Sequence, residues 1–107
     1  MHMIAMKLEP DRSPHLVGID GIDISDELHL MQAHVGGYLE AIRLKDGGIM
    51  LVDEDYALTL KKKPLNHIAT ALYGQPIFGN ALIVGQKDDM LIDCPPKYFA
   101  LLAFDMV

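Results

Sequence analysis

Three consecutive lysines, Lys61-Lys62-Lys63, stand just before Pro64 and the polar pair Asn66-His67. Proline suits the first turn of a helix, because its fixed φ fits there and its missing N–H has no intrahelical partner to lose. Pro64 therefore marks a helix start, where free N–H groups collect and favour an anion. Lys62, Lys63, Asn66 and His67 are the candidate contacts for a small anionic ligand. The plainer reading is a charged edge that keeps a strand from pairing with another molecule.

The remaining chemical residues are more scattered. His29 and His34 lie five apart, on different faces of any helix, whereas a chelating pair needs a spacing of three or four. His2, His15 and His67 are isolated in sequence. Asp53-Glu54-Asp55 lacks the spacing and distal glutamate of a calcium loop and reads as a solvated turn. Cys94 precedes two prolines with no neighbouring histidine, so nothing local would activate it as a nucleophile. Ser13 and Ser25 sit in no elbow motif, and neither Gly36-Gly37 nor Gly79-Asn80 belongs to a phosphate-binding signature. No catalytic residue, metal or cofactor is implied by these patterns.

The 107 residues carry a formal net charge of −6 and are 50% hydrophobic. Those values point to one folded domain, 1–107, with a single core. The acidic balance argues against general binding to nucleic-acid phosphate or to anionic membranes. No apolar run approaches the ~18 residues of a membrane span. A single cysteine permits no internal disulfide, which suits a reducing cytoplasm. The His2-Met3 pair is as compatible with a cloning remnant, the native start then being Met3 or Met6, as with native sequence.

Stepping from chemistry to scaffold, residues 3–8 and 15–20 pattern as a strand pair joined by a two-proline loop. Ser25 is placed to cap a helix whose Leu28, Met31 and Val35 form an apolar stripe ended by Gly36. Residues 37–44 and 49–52 read as a hairpin around Asp46-Gly47-Gly48. Residues 56–60 have the composition of a further short strand. Leu65, Ile68 and Leu72 would turn the next helix to the core, with Gly74 and Pro76 stopping it. The run Ala81–Val84 is too short for a helix and rich enough in branched residues for a buried strand. Residues 90–93 follow as a strand and Pro96–Phe104 as a last helix. The fold class is α+β: a mainly antiparallel sheet with two or three short helices packed on one face.

Four segments recur in a familiar order and spacing: V-G-G-Y-L-E-A-I (Val35–Ile42), I-M-L-V-D-E-D (Ile49–Asp55), P-L-N (Pro64–Asn66) and I-F-G-N-A-L-I-V-G (Ile77–Gly85). Over roughly residues 6–93 the chain resembles the domain family of unknown function DUF3846. It departs at Tyr56-Ala57, where a small residue and a lysine are usual, and at His67, where an arginine is common. The resemblance implies carriage by phages, plasmids or conjugative elements, and hence the cytoplasm of a bacterial host. It implies no activity and no site residue. Three function classes follow. The first is a non-enzymatic accessory protein that binds a host protein or another copy of itself. The second is a small-ligand binder that sequesters a nucleotide signal of host defence. The third is a small hydrolase or transferase, which lacks a nameable nucleophile–base pair. An exposed apolar patch would favour the first, and a pocket at the lysines the second.

Overall fold

The computed structural model describes residues 2–57 and 62–104. The chain runs β1 (His2–Glu9), β2 (Arg12–Asp20), α1 (Ile24–Val35), β3 (Leu39–Arg43), β4 (Ile49–Asp53), α2 (His67–Tyr73), β5 (Ala81–Lys87), β6 (Met90–Ile92) and a 3-10 helix (Pro96–Ala103). All pairings are antiparallel, in the order β2-β1-β5-β4-β3, with β6 joined to the second half of β5. The α+β class and its antiparallel sheet are as the sequence indicates. β1–β2, β3–β4 and β5–β6 are hairpins, and β5 closes the sheet by entering between β1 and β4.

The placement of the helices corrects the sequence reading. They cover both faces of the sheet rather than one. Met3, Ala5, Leu51, Leu82 and Val84 pack with Met31 and Val35 of α1. Their strand neighbours Met6, Leu8, Val52, Ala81 and Ile83 pack with Ala69 of α2 and Tyr98 of the 3-10 helix. The cause lies in β4 and the start of β5: Ile49–Val52 and Ala81–Val84 are apolar and buried at every position. Successive side chains of a strand point to opposite faces, so such runs need cover on both.

Helix boundaries also move. The N-cap of α1 is Asp23, not Ser25. Its Oδ1 accepts from Asp26 N at 2.9 Å, while Asp26 Oδ2 accepts from Ile22 N at 3.2 Å. This exchange occupies free donors at the helix start, as a capping box does. The buried stripe becomes Glu27, Met31 and Val35, and Leu28 turns outward. Gly36 closes the helix at φ 88°, as its position suggests. Pro64 lies outside α2, whose cap is Asn66, so Leu65 precedes the helix and instead bridges Phe78. Ile68 and Leu72 do pack on the core, and Gly74 ends the helix at φ 90°. The last helix is 3-10, with i to i+3 bonds from Tyr98 N to Pro95 O and from Phe104 N to Leu101 O. Tyr56 and Ala57 form a turn, and residues 58–60 of the expected fifth strand lie outside the described residues. No helix among the described residues is long and apolar enough to cross a membrane.

Candidate interaction groove

Of the three lysines, Lys63 has a definite contact. Lys61 lies outside the described residues; Lys62 is exposed at φ 55°. The Lys63 Nζ donates to Asp53 Oδ2 at 2.7 Å, and Asp53 is buried beneath it. The Lys63 stem crosses Gly79 so closely that an added Cβ there would stand 2.9 Å from its Cδ. Lys63 is thus a structural cation whose charge is matched. Asn66 is buried and its amide committed: Nδ2 donates to Leu8 O and Gly79 O, both at 2.9 Å, while Oδ1 accepts from Ala69 N at 3.1 Å. His67 is exposed at the start of α2. The fold brings Lys63 and Asn66 to one corner without turning their polar atoms to a shared opening.

The prominent opening lies at the other end of α1. A groove of about 480 Å³ runs between the first turns of α1, the start of β1 and the β5–β6 hairpin. Met3 and Met31 form its floor; Ile24, Leu28, Met90 and Ile92 form its walls. Those four wall side chains are 80%, 41%, 55% and 43% exposed, unlike the strand residues beneath them. The groove exists because β1 pairs with β5 only through Met6–Leu8. Beyond Met6 the strands part, and β6 with its extension fills the gap: Cys94 N donates to Ile4 O, and Ile4 N donates to Asp93 Oδ1. Glu27, Asp89 and Asp93 line the same groove, with His2 as the basic group. His2 pairs with Asp20. A second hollow of about 450 Å³ beside it is lined by Ile22, Leu30 and His29 together with Asp20 and Asp26.

A polar cluster occupies the opposite end of the α1 face. Lys7 Nζ lies 3.0 Å from His34 Nδ1, and His15 Nε2 lies 3.5 Å from Glu9 Oε1. Lys7 and His34 are titratable and within hydrogen-bond reach, yet they line neither hollow. Burial and then the Lys7 and His15 charges lower the His34 pKa, against an opposing pull from Glu9. The unfolded chain therefore binds a proton near pH 6.5 that the folded chain resists, so stability is lost as pH falls below that value. The denaturant midpoint should decline from about pH 7 to about pH 5 and decline less in His34→Gln. An equal slope in both proteins would refute the assignment.

Cys94 is buried, and desolvation pushes its thiol up to about 11. It is protonated at neutral pH and unsuited to nucleophilic work. Alkylation by iodoacetamide near pH 8 should run about two orders of magnitude slower in the folded protein than in denaturant. A comparable rate in both states would contradict this burial. Among the described residues, no three His, Cys, Asp or Glu side chains are grouped to hold a metal ion.

The comparisons agree with this architecture. The crystal structure of the small RNA methyltransferase HEN1 contains a similar fold, with a TM-score of 0.65 and 17% identity. The match covers 95% of this chain but only 16% of that one, so the present chain spans a small part of that protein. At such identity the likeness concerns the fold alone. No curated protein matches the chain. The family expectation holds and extends beyond the segments that prompted it: residues 1–103 match the domain of unknown function DUF3846, and the chain belongs to that family.

Proposed function

We propose that the protein is a non-enzymatic interaction module, an accessory protein of a phage or other mobile element that docks a host protein in the cytoplasm through the groove beside α1. The observation that carries this reading is the gathering of Ile24, Leu28, Met90 and Ile92, all substantially exposed, around one concavity. Contiguous exposed apolar surface is costly in water and marks interaction sites far more often than isolated exposed residues do. The sequestering alternative has less support, because the Lys63 charge is matched by Asp53 and the Asn66 amide is spent on backbone groups. A domain of this fold also occurs as a small part of a much larger chain. That occurrence accords with a modular role.

Affinity capture from host lysate tests the proposal. The Leu28→Ser/Ile92→Ser double variant changes only partly exposed side chains and should retain the fold. The unsubstituted protein is expected to hold a specific polypeptide that the double variant loses. Equal retention of that polypeptide by both would place the contact elsewhere.

A further inference from the structure

Glu27 is 7% exposed, and its carboxylate oxygens, bonded to no described residue, are not among the fully buried polar atoms and so sit at the surface of the groove it lines. A carboxylate whose stem is packed among apolar groups and whose oxygens face a concavity is placed to accept from a cationic side chain. It lies in the first turn of α1, at the end of the helix where the dipole suits a negative side chain. The side chain lines the groove, where Leu28, Met31 and Met90 provide the apolar surroundings. Asp89 and Asp93 add negative charge to the same lining. The concavity thus combines an apolar wall with an unmatched anion at its base.

We infer that the groove receives a basic and apolar peptide segment of a partner protein, with the Glu27 carboxylate as the acceptor for one lysine or arginine. This inference rests on the docking reading above and adds the chemistry of the docked segment. The volume, about 480 Å³, lies within the range of sites that enclose a few side chains. A lysine fits such a place by laying its methylenes along apolar walls while its ammonium meets the carboxylate. An arginine adds a planar fork that two carboxylate oxygens accept together. The Asp89 and Asp93 charges favour approach of the same segment and repel an acidic one.

The test uses four probes with ¹⁵N-labelled protein: a capped hexapeptide of alternating leucine and lysine, its glutamine and glutamate counterparts, and hexylamine. Backbone shifts at Glu27, Leu28 and Met90–Ile92 report occupancy, and titration gives affinity. The lysine peptide is expected to bind about tenfold tighter than the glutamine peptide, as a charge-assisted contact implies. The glutamate peptide should not bind. Glu27→Gln should remove most of the lysine peptide's advantage, leaving the part due to Asp89 and Asp93, without weakening the glutamine peptide. Should that variant fail to fold, NOEs between the lysine ε-methylene and Glu27 in the unsubstituted protein provide the same information. Equal lysine and glutamine affinities in the unsubstituted protein would overturn the charge assignment while leaving the docking reading intact. Hexylamine binding as tightly as the lysine peptide would overturn the peptide segment in favour of a small-amine site. Absence of groove shifts at millimolar peptide would overturn this inference, and lysate capture would then judge the docking reading separately.

Discussion

Asn66→Asp is expected to destabilise the domain by about 3–5 kcal/mol at neutral pH, despite being nearly isosteric. Asn66 is 1% exposed, and its Nδ2 holds Leu8 O of β1 and Gly79 O of the turn entering β5. A carboxylate keeps the oxygen that caps Ala69 N but replaces both donors with acceptors aimed at carbonyl oxygens. Each buried polar group left unmatched costs about 1–3 kcal/mol. The environment should raise the new carboxyl above its ordinary pKa, since burial and two carbonyl oxygens disfavour its charged form. The unfolded chain releases that proton at lower pH than the folded one. The deficit relative to Asn66 is therefore largest above the raised pKa and shrinks as pH falls through it. Denaturant titrations of both proteins at several pH values check the magnitude and the trend. A loss below about 1 kcal/mol would mean that Asn66 is not the tie between α2 and the sheet.

Gly48→Ala is expected to cost about 2–3 kcal/mol, through overpacking. An added Cβ would lie 2.6 Å from Tyr98 Cε2 and equally close to its hydroxyl oxygen. Tyr98 is 4% exposed and set between the sheet and the 3-10 helix, so its rigid ring has little space for retreat. Moving it would also break the bond from Gly48 N to Tyr98 Oη at 3.1 Å. Tyr98→Phe removes that bond without the collision and should cost only about 1 kcal/mol. Calorimetry on the two variants distinguishes them. Similar midpoints would show that the ring yields and that the hydroxyl contact dominates.

These residues also show what a sequence reveals and where it stops. Hairpins and helix stops were legible because their causes are local: Asp46-Gly47-Gly48 makes a turn, and Gly36 and Gly74 adopt positive φ at helix ends. The covering of both sheet faces was also written in the unbroken apolar runs Ile49–Val52 and Ala81–Val84, which alternation alone would not require. Asn66 was misplaced because Pro64 was read as the first helical residue, which put Asn66 inside the turn that it caps. Asparagine just before a helical run is itself a cap signal. The groove was not legible. It depends on where β1 leaves β5, on the insertion of β6, and on the Asp23 cap that turns Glu27 inward and Leu28 outward. The cap is local, but the partings and pairings of β1 with β5 and of β1 with the β6 extension join segments more than sixty residues apart, and no local pattern encodes them.

The central claim is that partner contact occurs at the α1–β6 groove. Its most direct test is a photo-crosslinking amino acid placed at Leu28, with exposed Asp11 on the β1–β2 turn as the control, in host cells. The account predicts a discrete crosslink from position 28 to a polypeptide other than this chain, and none from position 11. Crosslinks from position 11 alone, or from position 28 only to another copy of this chain, would contradict it.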